Sequence, residues 1–199
     1  MLVTYKNRRG KTYYLHEGRT KTGKPKYHFS LKNNGELVDE IPDGYEIYEH
    51  PGTGGVFLRK KLPQLILNIE KDVIGKELKK KEGSRRYLFD IKGKVITIWE
   101  SNQDIGALRD IFSDVRPASL NSRSDNVSAI EDMINIAVDY SPIMKFTIED
   151  EKKRTFIAER YCFLGSVDDW IYIGEPDSLK NLVKKYIKHL DQDSFFDFF

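Results

Sequence analysis

The sequence predicts an α+β protein: a small antiparallel β unit over residues 1–62, then an α+β domain over 63–199 built from antiparallel hairpins and about three to four helices, the last of them amphipathic. Three observations carry this expectation. Short runs rich in Tyr, Phe, Ile, Val and Thr come in pairs about turn sequences, Lys21-Thr22-Gly23 and Lys92-Gly93 among them. Leu179, Leu182, Val183, Tyr186, Ile187 and Leu190 recur at helical spacing near the C-terminus. Pro63 separates the strand-like first third from the first helix-like pattern.

Residues 11–32 read as a hairpin, with Gly23 where a three-residue loop needs positive φ. Pairing Thr20 with Lys24 puts Tyr13, Leu15, Tyr27, Phe29 and Leu31 on one face and Tyr14, His16, Lys24, Lys26, His28 and Lys32 on the other. Pro42-Asp43-Gly44 reads as a turn, followed by a strand over 45–49, a loop over 51–55 and a strand over 56–60. Beyond Pro63, Asn68 is the expected cap of a helix reaching about Lys81, with Ile69, Val73, Ile74 and Leu78 facing inward. The second hairpin, over 87–99, gathers Tyr87, Phe89, Ile96 and Ile98 on one side. Residues 113–126, rich in Ser, Asn, Asp and Arg, read as a loop, and Ser128 with Glu131 forms a capping-box pattern that opens a helix to about Val138. A third hairpin joins 143–149 to 155–163 about a charged turn, and 170–173 reads as a further strand. Asp177 is the expected N-cap of the last helix.

Composition narrows the function classes. No apolar run approaches the roughly 20 residues of a membrane span, so no membrane partner is expected. The single cysteine, Cys162, forms no internal disulfide and points to a reducing, cytoplasmic compartment. Net charge is only +2, but it is unevenly spread: residues 1–94 carry 21 Lys and Arg against 12 Asp and Glu, and residues 95–199 carry 12 against 19. The first 32 residues hold nine basic side chains and one acid, Glu17.

Catalytic signatures are missing: the chain has no phosphate-loop, dinucleotide-binding, H-E-x-x-H or G-x-S-x-G pattern. Asp168 and Asp169 suit a turn better than a cation site. His16 and His28 face each other without a third ligand nearby in sequence, so no metal or cofactor is implied. The expectation is therefore a binding or accessory protein rather than a catalyst, the alternative being an enzyme whose site is scattered along the chain.

Two surfaces are candidates for binding. Tyr14, His16 and His28 offer rings, and Arg19, Lys21, Lys24 and Lys26 offer cations, a combination that suits single-stranded nucleic acid: cations displace counterions from phosphates while bases stack on rings. The second is the C-terminal stretch Gln192-Asp193-Ser194-Phe195-Phe196-Asp197-Phe198-Phe199. It resembles the PIP-box peptides that dock on the sliding clamps of archaeal and eukaryotic replication. By that resemblance Gln192 fills a polar pocket, Phe195, Phe198 and Phe199 plug an apolar one, and the chain acts as an interaction adaptor; Phe195 departs from the usual Leu, Ile or Met. More broadly, residues 11–30 (KTYYLHEGRTKTGKPKYHFS) and 159–173 (ERYCFLGSVDDWIYI) resemble segments of uncharacterised bacterial proteins, a resemblance that transfers no functional residue.

Overall fold

The computed structural model describes residues 1–81, 85–114, 123–163 and 168–197, with the side chains of 123–127 left aside. The fold is α+β, as expected, and its residues group into two compact units. One comprises Met1–Lys61 with Asn102–Asp139; the other comprises Leu62–Ser101 with Tyr140–Phe199.

The first unit is built on strand β2 (Thr12–Arg19), flanked by β1 (Thr4–Lys6) and β3 (Pro25–Ser30), all antiparallel. The β2–β3 register is the one the turn dictates: Leu15 pairs with Phe29, His16 with His28 and Arg19 with Pro25. Thr20 N donates to Lys24 O at 2.9 Å, and Gly23 takes φ 79°, a conformation that a residue with a Cβ rarely adopts. β1 is too short to cover the whole of β2. Residues 36–38 continue that edge, with Val38 N donating to Leu15 O at 3.0 Å and Glu17 N to Glu36 O at 3.0 Å. Strands β4 (Tyr45–Glu49) and β5 (Val56–Lys60) form a separate two-stranded ribbon with the limits read from the sequence.

The same unit contains a helix pair, α2 (Ile105–Asp114) and α3 (Arg123–Ala137). This corrects the loop expected over 113–126, both ends of which are helical, and the capping-box reading, because Ser128 lies inside α3. Glu131 does not cap; it pairs with Arg109 of α2 at 2.8 Å. Asp104 opens α2 by accepting from Gly106 N and Ala107 N at 2.8 and 3.1 Å, a local cap that satisfies two of the helix's free donors.

The second unit is a six-stranded antiparallel sheet with two helices. Its strands are β6 (Tyr87–Lys92), β7 (Val95–Ser101), β8 (Tyr140–Asp150), β9 (Thr155–Phe163), β10 (Asp168–Tyr172) and the short β11 (Asp177–Ser178). They follow the order β10-β9-β8-β7-β6, with β11 also on β9. The β6–β7 turn sits at Gly93-Lys94, one residue later than expected. Phe89 nonetheless pairs with Ile98 and Ile91 with Ile96, so Tyr87, Phe89, Ile96 and Ile98 share a face. Helix α1 (Asn68–Leu78) buries Ile74 and Leu78 against the core, whereas Ile69 points outward, a correction of its expected inward position. Asn68 is the first helical residue and not the cap; Leu67 precedes it, with its N–H donating to Glu70 Oε2 at 2.8 Å. Helix α4 (Leu179–Tyr186) is capped by Ser178, one residue beyond the expected Asp177, and tightens into a 3₁₀ turn over Ile187–His189. Its expected apolar stripe is buried throughout, in a core with Ile96, Ile98, Met144, Phe146, Ile148, Phe156 and Ala158. Each such large side chain contributes about 1.5–3 kcal/mol on burial. Among the described residues, no helix is long and apolar enough to cross a membrane.

Candidate functional site

The β2–β3 hairpin brings together four of the seven residues expected to contact nucleic acid. Side chains alternate across a strand, so the observed register places Tyr14, His16, Lys26 and His28 on one face, beside Lys6, Thr12 and Ser30. Lys21 and Lys24 stand at the tip of the hairpin. Arg19 alternates to the opposite face with Leu15 and Glu17 and is exposed near the tip.

His16 differs from the others: it is only 7% exposed. The segment after β3 folds over it, its Nε2 lies 2.9 Å from Lys32 O, and its ring stacks on His28 with centroids 5.3 Å apart. His16 therefore holds His28 in place from beneath, and the outer rings of this face are His28, which is exposed, and Tyr14, which is half-buried. With its Nε2 against a backbone oxygen, His16 is not presented as one half of a metal pair. Among the described residues no group of three or more His, Cys, Asp or Glu is placed to hold a metal ion.

The charge environment of the hairpin differs from that of the arginines that brace the fold. Arg8 pairs with Glu49 at 3.5 Å and donates to His50 O and Gly52 O; Arg9 pairs with Asp139; Arg59 pairs with Glu46 at 2.8 Å. Arg8 and Arg9, although part of the basic N-terminal run, thus serve the fold of the first unit by tying the 50–54 loop to residues 138–139. Arg154 grips Glu70 at 2.5 Å and Lys145 meets Glu159 at 3.1 Å. Arg19, Lys21, Lys24 and Lys26 are all exposed, and among the described residues none has a carboxylate within ion-pair distance.

The C-terminal tail is arranged differently from a free docking peptide. Residues Asp193–Phe195 form a 3₁₀ turn, and Phe195 is 5% exposed, a member of the second unit's core. Phe196 is 59% exposed, with its ring edge-on to Phe195 and its carbonyl accepting from Arg160 at 3.1 Å. Gln192 is exposed and accepts from Ser194 Oγ at 3.3 Å. Phe198 and Phe199 lie outside the described residues. While Phe195 packs inward, it is not available to plug a partner's pocket.

One feature has no counterpart in the sequence reading. A cavity of about 310 Å³ in the second unit is lined by Arg86, just before β6, and by side chains from β7, β8, β9 and the tail, including Glu100, Phe163, Asp191, Asp193 and Phe196. Arg86 Nε lies 2.6 Å from Asp191, and its Nη2 lies 3.1 Å from Glu100. Tyr87 donates toward Glu100 Oε1 at 3.1 Å and toward Asp191. Burial first, then the hydrogen bond to Asp191 and the charge of Glu100, pushes the Tyr87 hydroxyl well above its ordinary value, so it remains a donor. Asp191 takes φ 73°, a left-handed conformation that Asp, like Asn, adopts more readily than most residues with a Cβ. These groups come from segments some ninety residues apart, so no spacing pattern announces them. No protein-family model, curated protein or solved structure matches the chain.

Proposed function

We propose that this protein binds single-stranded nucleic acid, without strong sequence preference, through the tip and outer face of the β2–β3 hairpin. The observation that carries the reading is the clustering of cations: Arg8, Arg9, Arg59 and Arg154 are matched to carboxylates, whereas Arg19, Lys21, Lys24 and Lys26 stand exposed together on one hairpin with none among the described residues. Unpaired cations keep their full charge for an external polyanion, and counterion release from the phosphates supplies the affinity. His28, propped by His16, and Tyr14 provide rings on which bases stack for about 1–3 kcal/mol each. Lys26 and His28 are two positions apart on β3, hence roughly 6.5 Å along the strand, and offer a cation and a ring in alternation along one track.

Fluorescence anisotropy of the full chain against labelled single-stranded DNA and RNA 12-mers tests this. Lys24→Glu with Lys26→Glu lies on exposed positions and leaves the fold intact, so the expected outcome is a loss of affinity of at least about tenfold. Equal affinity of the wild type and the double variant would overturn the reading.

A further inference from the structure

The cavity in the second unit carries chemistry of the opposite sign from the hairpin. Its lining includes three carboxylates, Glu100, Asp191 and Asp193, against one guanidinium, Arg86. Glu100 and Asp191 each use one oxygen on Arg86 and Tyr87. Glu100 Oε2 receives no hydrogen bond among the described residues, and the Asp193 carboxylate has no side-chain partner there. Lys81 approaches Asp191 only to 3.9 Å, while its ammonium donates to Lys188 O and Leu190 O at 2.7 and 2.6 Å. The remaining wall is aromatic. Phe195 closes the inner end, and Phe163 and Phe196, 61% and 59% exposed, stand at the mouth; the Arg160 guanidinium lies 5.9 Å from the Phe196 ring centroid, so the open aromatic face is that of Phe163.

Free acceptor oxygens beside an aromatic face, in a cleft whose lining is net negative, form the setting in which a cation is held by charge, hydrogen bonds and a ring quadrupole together. An anion would meet the same carboxylates as repulsion. A neutral apolar ligand would leave them desolvated and unmatched. The volume, about 310 Å³, is at the small end of ligand cavities and admits a molecule of metabolite size.

The geometry points to a binding site for a small organic cation bearing N–H donors, an alkyl- or arylammonium or a guanidinium, with Glu100 and Asp193 as acceptors and Phe163 as the aromatic face at the mouth. Tyr87 and Arg86 position Glu100, and Arg86 offsets one of the three lining carboxylates, leaving the cleft net negative. The left-handed Asp191 turns the chain so that Asp193 and Phe196 both reach the cleft.

Isothermal titration of the full-length protein with benzylammonium, benzyl alcohol and benzoate separates charge from shape, since the three share one ring. Benzylammonium is expected to bind at one site per chain at least about tenfold more tightly than either of the others. Asp193→Asn, at an exposed position that carries no structural bond from its carboxylate, is expected to weaken benzylammonium about threefold to tenfold, and Glu100→Gln at least as much. Equal binding of benzyl alcohol or benzoate overturns the assignment, as does benzylammonium affinity unchanged in both variants, or no saturable binding of benzylammonium up to about 10 mM, roughly 2.7 kcal/mol of affinity. Because the hairpin takes no part in this titration, its outcome is independent of the nucleic-acid measurement.

Discussion

Phe195 and Phe196 are neighbours with opposite fates, and the difference is one of position in the 3₁₀ turn. Phe195 is turned inward beside Leu190 and Ile187, while Phe196 lies across the rim. Truncation of a buried phenylalanine removes its transfer energy and leaves a void, so Phe195→Ala is expected to cost about 3–5 kcal/mol and Phe196→Ala less than about 1 kcal/mol in urea unfolding. Comparable losses from both substitutions would show that the tail packs otherwise. Tyr87 gives a second prediction at this scale. Its folded pKa is raised, by burial first and then by Asp191 and Glu100, so its contribution to stability is complete below the unfolded value near 10 and is lost as pH rises above it. Tyr87→Phe removes that proton linkage. Its stability is expected to fall less steeply than the wild type's between about pH 10 and 11.5, although it is lower at neutral pH for want of the hydrogen bonds. Parallel pH profiles would show that Tyr87 ionises as freely in the fold as in water.

Among the elements, hairpins were the most legible and helix boundaries the least. Gly23 fixes the β2–β3 register because a loop of given length with a left-handed glycine leaves one pairing, and the alternation of Leu15 and His16 then follows. The α4 stripe was equally plain, since six apolar side chains at helical spacing have one face to bury. Helix α2 is hard to read although Ile105, Leu108 and Phe112 recur at helical spacing, because Gly106 weakens its first turn and its start depends on one side chain, Asp104. Ile69 points outward because the face α1 buries runs through Glu70, Ile74 and Leu78, with Glu70 held inward by Arg154. One close approach ties α4 to the chain before it: Gly174, at φ 81°, sits where an added Cβ would be 2.1 Å from Tyr186 Oη. Tyr186 is buried and its ring is rigid. Gly174→Ala is therefore expected to cost about 2–4 kcal/mol, by backbone strain and overpacking together, read as a fall in the thermal midpoint. A midpoint within about 2 °C of the wild type would contradict that packing.

At the scale of the whole molecule, the first unit takes residues 102–139 from the middle of the chain, between β7 and β8 of the second. The polar composition of residues 113–126 lies inside that excursion but does not mark its ends, because a unit is defined by long-range contacts that sequence spacing does not record. The same holds for the two sites. The cations of the hairpin are contiguous in sequence and were legible; the burial of His16 was not, since it depends on the return of residues 32–38 over the strand. The cavity around Glu100 and Asp193 was invisible for the same reason.

The salt dependence of oligonucleotide binding tests the central claim most directly. If the hairpin cations neutralise phosphates of a single strand, log Kobs falls with log salt at a slope of about −0.7 for each phosphate met, so three to four contacts give roughly −2 to −3. Neutralising two of them in Lys24→Gln with Lys26→Gln should flatten the slope by about 1.4. A slope near zero in the wild type, or one unchanged by the double substitution, would contradict the account.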